Sequence, residues 1–179
     1  MIDKEIMRDL VQKYNNNSYA EKEKRLFVEI ANNVKERKYL KKEEFLEIVR
    51  WKSVRAIRKA ENNPKEIIEE ITKLALEVNN EEVKIRVLTS LKGVSIPMAS
   101  SILTIVNPEK YGVIDIRAWH SLYNLGLINY KKDTFNIKDW LLYLNIIRKL
   151  AGESNLTPRE IDKALFMYDK INRQGNLYN

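Results

Sequence analysis

The stretch LKGVSIPMASSILTIVNPEKYGVIDIRAWHSL, from Leu91 to Leu122, sets a glycine-containing turn between two apolar helical segments and then delivers a single aspartate, Asp115. A turn of this kind exposes the backbone N–H groups that begin its second helix, and the positive end of that helix's dipole points the same way. The combination suits an anion, a phosphate above all. Gly93 allows close approach of the backbone to such a ligand, Val94 anchors the turn in the core, Ser95 is placed to cap the helix, and Pro97 occupies its first turn without wasting a donor. Met98, Ala99, Ile102, Leu103 and Val106 then pack the second helix inward. The expected DNA-contacting segment is Lys92, Gly93, Val94, Ser95, Ile96 and Met98. Such contacts hold a nucleic-acid backbone and read no sequence. A helical hairpin that serves packing alone also accounts for these residues.

On either side of this stretch the chain reads as helix after helix. Residues 3–14 and about 19–37 form amphipathic helices separated by Asn15-Asn16-Asn17-Ser18, with Leu26, Phe27, Ile30, Ala31 and Val34 as core. The helix about 41–61 carries the apolar stripe Phe45, Ile48, Val49, Ala56, Ile57 and Ala60, interrupted at Lys52 and Ser53. A polar break in a buried stripe suggests a cleft wall with Trp51 at its edge; a lysine that reaches solvent along its stem explains it as well. Pro64 opens helix 64–77, and helix 81–91 leads into the hairpin, which spans about 81–106. Further helices are expected from near Asp115 to Gly126, over 137–150, and from the capping box Thr157-Pro158-Arg159-Glu160 onward. About nine helices result, in an all-α chain with a frayed tail over 174–179.

Composition narrows the chemistry. There is no cysteine, which excludes disulfides, thiolate metal sites and iron–sulfur clusters, and the one histidine argues against a histidine-rich metal site. No metal or cofactor is expected, and any chemistry falls to carboxylates, lysines, hydroxyls and the backbone. The 32 Lys and Arg against 25 Asp and Glu leave a net charge of +7, which fits a polyanionic partner if the excess clusters on one face. No apolar run approaches the ~18 residues that a membrane span needs, and the N-terminus is charged rather than signal-like. The expectation is a monomeric cytoplasmic protein, associated with the nucleoid in a prokaryote, with double-stranded DNA as partner and no membrane.

From Leu91 to His120 the sequence resembles the helix–hairpin–helix DNA glycosylase superfamily. The hairpin of that superfamily reads approximately L-P-G-V-G-x-K-x-A and is followed, after an apolar helix, by a V-D segment with the essential aspartate. Leu91, Gly93, Val94 and Ala99 match the hairpin, and Val113-Ile114-Asp115 matches the aspartate segment. The resemblance implies a two-lobed helical domain over residues 1–179, containing a helix–hairpin–helix motif, and a base-excision repair activity with Asp115 as the catalytic carboxylate. The departures restrict the mechanism. Ser95 replaces the second hairpin glycine, Pro97 stands where bifunctional members carry the Schiff-base lysine, and Arg117 and His120 rearrange the positions that follow the aspartate. Lys52 and Lys92 are the nearby lysines to consider as substitutes, and neither matches the family position. A divergent, monofunctional glycosylase that uses water is therefore expected, without lyase activity.

In such an enzyme a carboxylate stabilises the oxocarbenium charge that develops on the sugar and orients or deprotonates the attacking water. A helix N-terminus favours negative charge, and Arg117 is expected close to Asp115. The same residue serves equally as the N-cap of helix 116–125. An everted base also needs a pocket, for which Trp51, Trp119 and Tyr123 are the candidate lining and Lys52, Ser53, Arg117 and His120 the candidate polar readers. The alternative is a non-catalytic helix–hairpin–helix module that binds DNA and uses Asp115 only as a cap; a third is a helical interaction protein whose hairpin only packs.

Overall fold

The computed structural model describes residues 3–175 and Leu177. All regular structure among them is helical, in eleven α-helical segments with one π and one 3-10 segment. The chain divides into two compact units, one continuous over Glu23–Asn107 and one built from the residues up to Lys22 together with those from Pro108 onward.

In the discontinuous unit, α11 (Pro158–Asn172) is the centre: α1 (Lys4–Asn15), α9 (Ile116–Asn124) and α10 (Ile137–Ser154) all pack on it. Its start is fixed as the sequence indicates, since Thr157 Oγ1 accepts from the Glu160 N–H at 3.2 Å and Glu160 Oε2 accepts from the Thr157 N–H at 2.7 Å. Helix α10 runs to Ser154, beyond the expected end at Leu150, because Gly152 is accommodated inside it and the stop falls on Asn155, which takes the left-handed conformation (φ 55°). The proposed tail is only partly described: Gln174 and Gly175 follow α11 without regular structure, and Asn176, Tyr178 and Asn179 lie outside the described residues.

In the continuous unit the apolar helix α8 (Ile96–Val106) is the centre, with Met98, Ala99, Ile102, Leu103 and Ile105 all buried. Around it lie α3 (Ala31–Arg37), α4 (Lys42–Lys52) and α7 (Glu81–Thr89), and α6 (Lys65–Glu77) packs on α7. The expected single helix over 19–37 is α2 (Ser18–Lys24) continued by a π-helical segment, Arg25–Ile30, into α3. The wider π turn buries Leu26 and Ile30 while leaving Val28 half exposed.

The expected helix 41–61 is not one helix. It ends at Lys52, Ser53 is extended (φ −160°, ψ 100°), and a 3-10 turn, Val54–Ala56, leads into the short α5 (Ile57–Ala60). The polar interruption marks a chain break rather than two polar side chains turned into an apolar stripe. Pro64 is the N-cap of α6, one position before the helix, and no side-chain cap is made there. Ile67 and Leu74, which share the apolar spacing of α6, are 44% and 46% exposed and lie outside its core stripe.

Candidate functional site

The hairpin belongs to the continuous unit and connects α7 to α8 through residues 90–95. Gly93 has φ +82°, a conformation that favours glycine, and the space a Cβ would fill is occupied by protein: it would stand 3.0 Å from both the Ala56 carbonyl oxygen and the Ala60 nitrogen. The close approach that Gly93 permits is thus to the backbone of α5, which corrects the expectation that its bare Cα faces a phosphate. Val94 and Leu91 are buried beneath the turn. Ser95 is the N-cap residue of α8 by its extended backbone, but its hydroxyl makes no capping hydrogen bond, so its expected capping role is not realised.

What holds the turn is Asn63, which the sequence shows only as part of a helix-ending Asn-Asn-Pro. Its Oδ1 accepts from the Lys92 N–H at 2.8 Å, and its Nδ2 donates to the carbonyls of Lys92 at 2.9 Å and Ala60 at 2.8 Å. Asn63 is 4% exposed. Asn63→Ala would strand the N–H and the carbonyl of Lys92 at once, while the Ala60 carbonyl keeps the residue-63 N–H at 3.1 Å, and each stranded buried group costs about 1–3 kcal/mol. We expect at least about 2 kcal/mol of lost stability, read as a shift of the urea midpoint.

Among the described residues, no acceptor pairs with the N–H groups of Gly93, Ser95, Ile96 or Met98. These are the orphan donors of a helix start. The side chains of Val94, Ile96 and Met98 are buried, so those residues have only backbone to offer a ligand, while Lys92 and Ser95 are exposed. Arg55, Arg58 and Lys59, around the same contact with Gly93, are exposed too.

Asp115 belongs to the discontinuous unit. It is half-buried, extended (φ −149°, ψ 174°), and N-caps α9 by accepting from the Ala118 N–H at Oδ1, 2.9 Å. The approach to it is a buried run without regular secondary structure, Tyr111 to Ile114. Gly112 lies flush on its surroundings: a Cβ there would be 2.7 Å from the Pro158 carbonyl oxygen and 2.8 Å from Ile147 Cδ1. The Val113 N–H donates to Asp162 Oδ2 at 2.7 Å and the Tyr143 hydroxyl donates to the Val113 carbonyl at 3.1 Å. Burial pushes the Asp162 carboxyl up from the ordinary carboxylate range, opposed by Arg159, whose Nη1 lies 2.8 and 2.7 Å from its two oxygens, and by the Val113 N–H. Burial also pushes the Tyr143 hydroxyl well above its ordinary value, with the charges of Asp162 and Asp115 adding to the effect. Asp162 and Tyr143 were missed by sequence reasoning.

Arg117 does not turn to Asp115. Its Nη1 donates to Asp169 Oδ2 at 3.0 Å and its guanidinium lies over the Phe166 ring at 5.5 Å. A nearly inaccessible Asp169 carboxylate, which also receives Arg173 Nε at 2.9 Å, is a stronger attractor than the half-exposed helix cap. Arg173 Nη2 donates to His120 Nδ1 at 2.8 Å, which leaves the ring proton on Nε2, 3.2 Å from Asp133 Oδ1 but without hydrogen-bond alignment. Trp119 is fully buried, donates its indole N–H to the Tyr130 carbonyl at 3.2 Å and packs on Phe135. It is core and presents no face to a base.

Of the other pocket candidates, Tyr123 is 38% exposed with Lys131 over its ring at 5.0 Å. Trp51 is half-buried edge-on to Phe27, and Lys52 and Ser53 are half-buried at the end of α4. A surface concavity of about 380 Å³ lined by Lys110, Arg148 and Thr157 includes neither Asp115 nor any hairpin residue.

No established protein family matches the sequence, and no curated protein does. Two solved structures are similar in fold. One is an 8-oxoguanine glycosylase/lyase of Methanocaldococcus jannaschii in complex with a 15mer DNA containing 8-oxoguanine, at 21% identity and a TM-score of 0.50, covering 94% of this chain and 91% of that one. The other is the 8-oxoguanine DNA glycosylase of Methanocaldococcus jannaschii, at 22% identity and a TM-score of 0.51, covering 94% of this chain and 78% of that one. The helical hairpin, the buried run into Asp115 and the two compact units are therefore set in a chain whose fold, over nearly its whole length, is similar to that of these two 8-oxoguanine glycosylases.

Proposed function

We propose that the protein binds double-stranded DNA through the hairpin and hydrolyses the N-glycosidic bond of a damaged or mispaired base, with Asp115 as the catalytic carboxylate. The observation that carries this reading is Asp115 itself: a half-buried carboxylate at a helix N-terminus, delivered by a buried run, in a chain whose fold is similar to that of an 8-oxoguanine glycosylase/lyase in complex with DNA. In the proposed step the water oxygen bonds to C1′ as the C1′–N bond breaks. The bonding pair leaves on the base nitrogen, which takes up a proton from solvent, and Asp115 accepts the proton released by the water. Its negative charge offsets the oxocarbenium character of the sugar at the transition state.

At the hairpin, the unpaired N–H groups of Gly93, Ser95 and Ile96 serve as phosphate donors and Lys92 adds charge. Binding through them should weaken with salt, by about 0.9 log units per tenfold salt for each phosphate neutralised. Lys92→Ala is expected to reduce that slope by about 1 while leaving lesion preference unchanged. A salt-independent affinity would remove the phosphate-hairpin reading.

Water is the proposed nucleophile because Pro97 has no amine. It sits in the first turn of α8, and its carbonyl accepts from Ser100 and Ser101 Oγ, both at 2.8 Å. The deciding assay offers duplexes containing uracil, alkylated purines, oxidised guanine or mismatches. Release of a base that leaves an intact abasic strand supports the proposal, and a covalent adduct trapped by borohydride would redirect the mechanism to Lys52 or Lys92. The Ala118 bond favours one rival, a DNA-binding module in which Asp115 only caps. That rival predicts salt-dependent binding and no base release from any of these duplexes.

A further inference from the structure

Val113, the residue two positions before Asp115, is gripped from both sides. Its N–H is taken by Asp162 on α11 and its carbonyl by Tyr143 on α10, at 2.7 and 3.1 Å. Both gripping side chains are buried, Tyr143 completely and Asp162 to 4% exposure. Asp162 is itself braced by Arg159, whose Nη2 lies 3.2 Å from the Tyr14 hydroxyl. The preceding residue, Gly112, has no room even for a methyl group, with Asp162 Cβ itself 3.0 Å from where a Cβ would stand. Ile114, the one residue between Val113 and Asp115, is fully buried.

From these contacts we infer that Tyr143 and Asp162 are positioning residues for Asp115: by clamping the backbone of Val113 between α10 and α11 they set the direction in which the Asp115 carboxylate leaves the fold. The inference rests on the reading of Asp115 as the reacting carboxylate. Buried polar groups are ordinarily satisfied, so either bond alone would be routine. Here the backbone donor and the backbone acceptor of a single residue, on the two peptide groups that flank its Cα, are both claimed by side chains from two different helices, at the point where the chain has no helical ladder of its own. Burial holds the ionisation of the Tyr143 hydroxyl well above its ordinary value, which favours its role as a donor. Positioning of this kind matters because a displacement of about 1 Å at a reacting group can cost on the order of 10²-fold in rate.

Tyr143→Phe removes one jaw and keeps the ring. Three measurements on the full chain test it: amide hydrogen exchange at Ala118, whose N–H reports the Asp115 cap; single-turnover base release; and DNA affinity. Exchange at Asp139, whose N–H bonds to the Asn136 cap of α10 at 3.1 Å, is the internal reference. The expected result is faster exchange at Ala118 with Asp139 unchanged, base release slowed about tenfold to 10²-fold, and affinity within about twofold of the starting protein. Parallel acceleration at both caps, or an unchanged Ala118, would reduce the pair to ordinary core and overturn the inference. Asp162→Asn, which keeps an acceptor for the Val113 N–H, should show a smaller change of the same kind. If the unsubstituted protein releases no base while Ala118 still loses protection in Tyr143→Phe, the clamp stands and the glycosylase reading falls.

Discussion

Asp115→Asn is expected to cut base release by about 10²–10⁴-fold while leaving DNA affinity and thermal stability close to those of the unsubstituted protein. The expectation separates the two roles that the position combines. As a cap, Asp115 contributes an oxygen to the Ala118 N–H, and asparagine is as good an N-cap as aspartate, so the amide oxygen inherits that bond. As a catalyst, Asp115 contributes a full negative charge and a proton acceptor, and the amide supplies neither. Alanine at the same position removes both roles and should cost about 0.5–2 kcal/mol of stability as well. The pair of variants therefore reads the two functions independently: asparagine reports the charge and alanine adds the cap. Equal single-turnover release by Asp115→Asn and the unsubstituted protein would leave Asp115 as a cap and nothing more. The surroundings bear on the size of the effect. Arg117, which the sequence placed beside Asp115, is committed to Asp169.

Local signals were legible in the sequence and tertiary ones were not. The capping box of α11, the start of α8 at Ile96 and the helix after Asp115 each follow from residues within four positions of one another, and each appears where the spacing puts it. The break at Ser53 escaped for a specific reason. Val49 and Ala56 are seven positions apart, two helical turns, so an extended residue followed by a 3-10 turn restores the apolar phase, and periodicity cannot see it. Asn63 and Asp162 escaped because their partners lie 29 and 49 residues away in sequence. Asp162 pairs with Arg159 at i,i+3, and the pair is buried, with side chains 5% and 6% exposed. Arg117 was misassigned by the same mechanism, since its partner is 52 residues on. The elements of the candidate site were therefore visible one by one, and the side chains that hold them in place were not.

Gly112→Ala should be the most damaging single-methyl change in the discontinuous unit. The added carbon would stand 2.7 Å from the Pro158 carbonyl oxygen, 2.8 Å from Ile147 Cδ1 and 3.0 Å from Asp162 Cβ, and the first of these is backbone at the start of α11. A flexible side chain such as Ile147 can swing aside, but the Pro158 carbonyl cannot without moving the helix start that Thr157 and Glu160 hold. Overpacking of this kind costs about 1–3 kcal/mol and sometimes more, and in a chain of this size each kcal/mol lowers Tm by about 2–4 °C. Gly152→Ala is the natural control, because nothing lies within 4 Å of its would-be Cβ and it sits inside α10. There alanine relieves the entropic penalty of glycine in a helix and should stabilise by about 0.5–1 kcal/mol. Opposite signs for the same methyl group would place the cost at Gly112 in the fit of the buried run rather than in any general property of glycine replacement. Because that run leads directly into Asp115, any folded Gly112→Ala protein should also release base more slowly at temperatures well below its own Tm. A variant that lost stability but kept its full rate would show that the run can shift without carrying the carboxylate with it.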